Sequence, residues 1–275
     1  MKALIALLLL LLPALGNAVI ISVGDTDIDI PAPPGYVAVT PEMKALYEAQ
    51  KLFVPPTNVE FISFIPETDA SSALRGEISG LNRTFSVQTS KNAVNVSASN
   101  HDFLKLKNAL KTQNDEAFKK IECQIPDFMK KINSGVSRKY DVDLALTVAQ
   151  MVPLPVHDEA DRSIAYSAFI KYGFNNPSGK ASAETTAATI AFVHIKGKIL
   201  FLYSFGEEND IEWSRNASKQ WSTAVISANP GNSLTLINEA TGFNWGEIAA
   251  NGIRGAIWGL IVYAIMVLIK RRRKR

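Results

Sequence analysis

Hydrophobic and polar residues alternate along several segments of the chain, which is the pattern of β-strands with one buried face. This alternation predicts strands over residues 58–65 and 81–90, and further strands are predicted over 142–152 and 163–172. Two further apolar segments, 186–195 and 199–205, flank Lys196-Gly197-Lys198. Strands of similar length joined by a short glycine-containing turn predict a β-hairpin, and this is the strongest strand signal in the sequence.

Apolar residues at helical spacing predict helices around these strands. After Asp210, one helix face carries a stripe of Ala217, Trp221, Ala224, Val225 and Ala228. Other helices are predicted after the capping residues Thr40 and Ser99, and over 115–131 with an interruption at Pro126. Because the strands occur in runs and do not alternate regularly with helices, we expect an α+β domain in which helices cover an antiparallel sheet.

The N-terminal end is strongly apolar. Residues 3–12 form an unbroken apolar run after Met1-Lys2, and the small residues Gly16 and Ala18 follow. The run is too short to span a bilayer as a helix but is typical of a secretory signal peptide. We therefore predict a signal peptide over 1–18 that is cleaved after Ala18. The alternatives are an uncleaved anchor and a buried strand.

The C-terminal end predicts a membrane anchor. Residues 253–269 are apolar apart from Arg254 and indicate one transmembrane helix. The basic tail follows, formed by Lys270, Arg271, Arg272, Arg273, Lys274 and Arg275. The positive-inside rule places this tail in the cytoplasm, and the exported domain, residues 19–230, in the periplasm or outside the cell. Residues 231–252 form a connector. The alternative interpretation is a hydrophobic core helix with a basic tail.

Gly255, Trp258 and Gly259 belong to the predicted anchor together with the basic tail. Glycines one turn apart let two membrane helices approach closely, so the pattern permits self-association of the transmembrane helix. A lipid-facing helix that contains glycine is the alternative. The basic tail can also attract anionic lipid headgroups, which makes the bilayer a predicted partner.

The charge of the exported part of the chain bears on which partners it can bind. Without the signal peptide and the tail, 22 basic residues stand against 26 acidic residues, and no basic patch with interleaved aromatic residues occurs. We therefore predict no nucleic-acid partner.

Cys123 is the single cysteine of the chain, so the exported domain has no intramolecular disulfide and must fold on its core alone.

Few residues are candidates for metal binding or catalysis. His157, with Asp158, Glu159 and Asp161 nearby, forms the densest ligand-like cluster. Consecutive loop residues point in different directions, so we interpret this cluster as a solvated acidic loop. We expect His194 to be a core or sheet-face histidine.

The remaining candidates also have structural explanations. We expect His101 to be exposed and Cys123, which has no histidine base close in sequence, to be a buried structural thiol. Paired carboxylates are a further candidate, formed by Glu207, Glu208, Asp210 and Glu212. They stand at the start of a helix, where capping and the helix dipole explain them. The sequence thus predicts no catalytic residue, no metal site and no cofactor.

The order of the elements resembles that of a known family. A Pro-Pro-Gly start, an early helix, two strands, a central helical insert, further strands, a glycine-turned hairpin and a closing helix with Trp213 and Trp221 resemble the PsbP-like α/β/α sandwich domains. These are exported bacterial relatives of an extrinsic photosystem II subunit. The nearest feature to a signature is Phe201-Leu202-Tyr203-Ser204-Phe205. The resemblance covers residues 28–229 and implies a non-catalytic accessory or binding domain at a membrane surface. The predicted anchor departs from the soluble photosynthetic members, so a photosystem role does not follow.

These observations support two hypotheses of function. The first is a single-pass bacterial envelope protein whose exported domain binds a protein partner, as an accessory module of a membrane assembly. The second is a membrane-tethered hydrolase with an unrecognised active site. A concave cluster of convergent polar residues favours the enzyme, whereas an apolar surface patch favours the binding module.

Overall fold

A computed structural model describes residues 18–51, 54–77, 82–112, 123, 125–127, 129–130, 146–175, 181–231 and 244–273. The strands are β1 (Ala18–Val23), β2 (Thr26–Pro31), β3 (Tyr36–Ala38), β4 (Asn58–Pro66), β5 (Thr84–Ser90), β6 (Leu146–Ala160), β7 (Ser163–Asn175), β8 (Ala181–Ile195) and β9 (Lys198–Glu207). The helices are α1 (Lys44–Lys51), α2 (Glu67–Leu74), α3 (Asn100–Thr112), α4 (Ile211–Ala228) and α5 (Trp245–Arg273). Single 3-10 turns occupy Lys91–Ala93 and Glu208–Asp210. The predicted signal peptide up to residue 17, most of the predicted helix over 115–131 and most of the predicted connector lie outside the described residues.

One antiparallel sheet organises the domain. In the described ranges it contains seven strands in the order β3-β4-β5-β9-β8-β7-β6, and every neighbouring pair is antiparallel. The predicted hairpin is confirmed as β8 and β9. Its turn residues Lys196 and Gly197 both have positive φ, 48° and 79°, as a type I′ turn requires. The α+β class and the antiparallel sheet predicted from the sequence are therefore correct.

The two edge strands of the sheet differ in length. β3 has three residues, whereas β6 has fifteen and contains Pro153 and Pro155. The pairing of β6 with β7 is irregular on both sides of this proline pair. β6 also extends further than predicted, so Asp158 and Glu159 lie in a strand and not in a loop.

Both faces of the sheet are covered, which gives three layers. One face packs on α4 and on the β1–β2 hairpin, around the buried residues Phe64, Phe85, Leu202, Trp221 and Val225. The opposite face packs on α1, α3 and α5, and its core includes Tyr166, Phe192, Phe201, Tyr203 and Phe205. The alternation along β9 separates these two cores, because its successive side chains point to opposite faces.

The buried face of α4 is more polar than the sequence indicates. Trp221 and Val225 are buried as predicted, but the predicted stripe residues Ala224 and Ala228 are exposed. Three serines, Ser214, Ser218 and Ser222, complete the buried face instead. The Ser214 hydroxyl donates to the Ser204 carbonyl of β9 at 2.8 Å, which joins helix and sheet by a hydrogen bond. The β1–β2 hairpin and α2 were not predicted.

Helix α5 runs without interruption over 29 residues. Its first half is part of the domain core, since Trp245, Ile248, Ile253 and Ile257 are buried in the cluster shared with α1 and α3. No helical stretch in the described ranges has both the length and the hydrophobicity of a bilayer span.

Candidate functional site

The contact between α5 and the sheet is the part of the molecule where the predicted anchor residues are found. Trp245, Ile248 and Ile253 are at most 6% exposed and pack into the core beneath the helix. Burial of such large apolar side chains stabilises the helix in this place. The first half of α5 is therefore part of the domain core.

Three glycines bring the backbone of α5 close to aromatic rings of the sheet. A Cβ added at Gly252 would lie 2.3 Å from Cζ of Phe192, and one at Gly259 would lie 2.1 Å from Cζ of Phe205. At Gly255 the distance to Oη of Tyr203 would be 2.0 Å. A real Cβ atom does not come this close to another atom, so a side chain at any of these three positions would collide with a ring. The three glycines therefore allow the helix to lie directly on the sheet.

The structure thus places Gly255 and Gly259 against the sheet of their own chain, and Trp258 half-buried beside the same core. Lys270, Arg271, Arg272 and Arg273 lie within the bounds of α5, and nothing is described of their side chains. Lys274 and Arg275 lie outside the described residues. The predicted roles of these residues in lipid and in self-association stay predictions.

A buried polar network joins α5 to β4, β5 and β9. Asn58 donates from Nδ2 to the Asn251 carbonyl at 3.1 Å and to Oε1 of Gln88 at 3.0 Å. The Tyr203 hydroxyl donates to the Gly252 carbonyl at 2.8 Å, and Nδ2 of Asn251 donates to Oγ of Ser90 at 2.9 Å. Because each of these groups is buried, the hydrogen bonds fix where along its axis the helix sits on the sheet.

Glu60 ends this network on the sheet. The Ser86 hydroxyl donates to Oε1 of Glu60 at 2.6 Å, and Nε2 of Gln88 donates to that hydroxyl at 3.3 Å. Burial raises the pKa of Glu60 to about 7, and the hydrogen bonds from Ser86 and Gln88 oppose this rise. Burial also raises the pKa of Tyr203. Glu60 is therefore a carboxyl that changes charge near neutral pH and is linked through Gln88 and Asn58 to α5.

This network was not predicted from the sequence. Every second residue of β5 is polar on one face, namely Ser86, Gln88 and Ser90. In a sheet with one exposed face, this pattern predicts side chains that face solvent. Here a helix covers them. The available signal was Asn251 and Arg254 in an otherwise apolar helix, because polar residues in such a helix usually face a polar partner.

His157 lies at the opposite face of the sheet, near α4. Burial lowers its pKa, as does the charge of Arg215, and both ring nitrogens are buried without a hydrogen-bond partner among the described atoms. Its neighbour Asp158 pairs with Lys219 at 2.8 Å, and Glu159 pairs with Lys111 at 2.6 Å. The acidic residues of the cluster thus bind cations of the protein in two different directions. In the described part of the chain no three histidine, cysteine or carboxylate groups converge as metal ligands.

The other candidate residues have structural roles. His194 is buried, stacks on Phe103 and shares a hydrogen bond of 2.8 Å between Nε2 and the Ala98 carbonyl, as expected of a core histidine. Burial lowers its pKa. His101 is exposed as predicted. Cys123 is exposed, so the prediction of a buried thiol is wrong.

The acidic residues at the start of α4 form a cap. Glu207 and Asp210 make a reciprocal capping box across the 3-10 turn. Asp210 also accepts from Arg83 at 2.6 Å, and this guanidinium stacks 4.6 Å from the ring of Trp213. The capping explanation is confirmed for Glu207 and Asp210.

Comparison with known proteins supports the fold only weakly. No protein-family model matches the sequence, and no curated protein matches it. Among solved structures, the cyanobacterial PsbP protein CyanoP of Synechocystis is similar at 14% identity over 77% of this chain and 96% of that chain, with a TM-score of 0.31. The Ran-binding protein Mog1p of Saccharomyces cerevisiae is similar at 11% identity over 74% of this chain and 84% of that chain, with a TM-score of 0.22. The resemblance to PsbP is thus a weak one, at the level of the fold alone.

Proposed function

We propose that this chain is a single-pass envelope protein whose exported α+β domain is a non-catalytic binding or accessory module of a membrane assembly. In this proposal the signal peptide directs export, the C-terminal helix anchors the domain in the bilayer, and the basic tail stays in the cytoplasm. A protein of the envelope is the partner, and neither nucleic acid nor a cofactor takes part.

The observation that carries the proposal is the continuity of α5. Its first half is buried in the domain, and the same helix continues into the apolar sequence 260–269 and the basic residues after it. A helix without a break between domain and apolar segment holds the domain next to whatever the apolar segment enters. A domain held in this way meets a membrane partner at a high effective concentration.

The experiment compares polar point variants with loss of the anchor. His157→Ala, Cys123→Ser and Glu208→Gln should each leave complementation of a deletion strain, and the yield of crosslinked envelope partner, close to wild type. Deletion of 260–275 should abolish both while the domain stays folded. An interface shares its free energy among many residues, whereas a catalytic site concentrates it in a few positioned groups.

The opposite pattern would favour the membrane-tethered hydrolase. That pattern is one polar variant that is folded and membrane-bound yet inactive, together with a deletion of 260–275 that still works. Fractionation of membranes and a thermal melt of each variant are the controls, because they separate loss of function from loss of folding or of anchoring.

A further inference from the structure

Helix α5 is too short to pack on the sheet and to span a bilayer at the same time. With residues 245–259 on the sheet, the apolar residues left over are 260–269. Ten helical residues extend about 15 Å, whereas the hydrocarbon core of a bilayer is roughly 30 Å thick. A full crossing needs about twenty residues, which reach back from Ile269 to Ala250.

The same ten residues, 250–259, therefore have two uses that exclude each other. On the sheet, Gly252, Gly255 and Gly259 contact aromatic rings, and the carbonyls of Asn251 and Gly252 accept hydrogen bonds from Asn58 and Tyr203. In a bilayer these residues would lose every one of these contacts. The segment cannot do both at once, because the sheet lies in the exported domain and the bilayer core holds no water or protein polar groups to replace its partners.

We infer that residues 250–259 exchange between the sheet and the membrane, so that insertion of the helix uncovers the face of the sheet formed by Phe192, Tyr203 and Phe205. This inference rests on the proposed anchoring. Two features suit the segment to the exchange. The glycines contribute no side chain that must be withdrawn from the sheet, and the other residues of 250–259 are apolar enough to enter lipid, apart from Asn251 and Arg254. Arg254 can extend its guanidinium to the headgroups.

The exchange is measured by the reactivity of single cysteines in the full chain. All variants carry Cys123→Ser, because Cys123 is exposed. Ser90→Cys reports release of the helix, since Ser90 is 0% exposed and accepts from Asn251 of α5. Ser22→Cys lies on an exposed position of β1 and reports whether the domain is outside the cell. Ser222→Cys lies on the buried face of α4 and reports general unfolding.

The probe is a membrane-impermeant maleimide added to intact cells or spheroplasts. We expect Ser90→Cys to react within roughly tenfold of the rate of Ser22→Cys in the membrane-bound protein, while Ser222→Cys reacts slowly. The matched control adds Val262→Lys and Ile265→Lys, which prevent insertion of the apolar segment. In that control Ser90→Cys should slow by at least roughly tenfold, because the helix returns to the sheet.

Four results would overturn the exchange. Slow labelling of Ser90→Cys together with fast labelling of Ser22→Cys in a membrane-bound chain would show that the helix stays on the sheet, and the anchoring would stand. Equally fast labelling of Ser222→Cys would indicate unfolding in place of helix release. Absence of the chain from the membrane fraction, or an unreactive Ser22→Cys, would overturn the proposed anchoring and the exchange together.

Discussion

Trp221 is the residue that most directly joins the outer helix to the sheet. It is 2% exposed, its ring meets Phe64 and Phe85 edge-on, and its indole N–H donates to the Pro31 carbonyl at 2.8 Å. Trp221→Ala removes this packing and leaves the Pro31 carbonyl unpaired. We expect the free energy of unfolding to fall by about 3–5 kcal/mol, as for other buried tryptophans.

Denaturant unfolding followed by circular dichroism measures this change. Thr223→Ala, at an exposed position of the same helix, is the control and should change the free energy by less than about 0.5 kcal/mol. An equally small effect of Trp221→Ala would mean that this face of α4 is not core.

Glu60 predicts a dependence of stability on pH. Its pKa is about 7 in the folded protein against an ordinary value of 4.5, so the folded state binds a proton that the unfolded state releases between these values. The contribution of Glu60 to the free energy of unfolding should therefore be fully present below about pH 4.5 and fall by about 1–3 kcal/mol as the pH rises to 7. Glu60→Gln should remove this fall and be the more stable form above pH 7.

Denaturant midpoints at several pH values for the wild type, Glu60→Gln and the control Glu48→Gln measure this effect. Glu48 is exposed on α1, so its replacement should keep the slope of the wild type. A wild-type slope that Glu60→Gln leaves unchanged would place the origin of the pH dependence elsewhere.

Single residues were predictable from the sequence where local chemistry decides their place. The turn at Lys196 and Gly197, the capping pair at Glu207 and Asp210, and the burial of Trp221 follow from turn geometry, helix capping and hydrophobicity. The buried serines of α4 and the network at Asn58 and Gln88 were not predictable, because a polar residue is buried only when a distant element supplies its hydrogen-bond partner.

At the scale of elements, α5 is where sequence and structure differ most. An apolar helix followed by basic residues has the same composition whether it packs on a sheet or crosses a bilayer, so the sequence alone favoured the membrane. The structure adds what the composition lacks, namely the sheet face that fits the glycines. The strands were more predictable than this helix, since alternation reports a strand whatever covers it.

Gly255→Ala separates the two interpretations of the glycine pattern. If Gly255 packs on Tyr203, the added methyl group should lower the free energy of unfolding by about 1–3 kcal/mol, which exceeds the helix propensity gained from alanine. Gly246→Ala, in the first turn of the same helix, should be neutral or stabilising. A thermal melt of both variants in detergent measures the difference. Loss of self-association in membranes with no change in domain stability would instead favour the role in a helix dimer.

At the scale of the whole molecule, the structure adds residues 245–259 to the domain expected over 19–230. The buried Trp245, Ile248, Ile253 and Ile257 each contribute roughly 1.5–3 kcal/mol of apolar burial. We therefore expect residues 19–259 and residues 19–231 both to fold, with a markedly lower melting temperature for residues 19–231.

Calorimetry and the dispersion of NMR spectra distinguish the two truncations. Because both lack residues 260–275, the comparison reports the contribution of the first half of α5 and not that of the apolar segment after it. A shorter fragment with an unchanged melting temperature would show that α5 is dispensable for the fold.

The edges of the sheet determine how the molecule can meet other chains. β3 is only three residues long, and β6 carries Pro153 and Pro155 within an irregular stretch of pairing. Proline has no N–H to offer to an added strand, and irregular pairing twists an edge away from a flat partner. Both edges are thus poor templates for strand addition, which protects a long antiparallel sheet against amyloid-like growth. A partner of this domain is therefore not expected to add a strand at either of these edges, and a search for its binding surface should begin at the side chains of the helical layers.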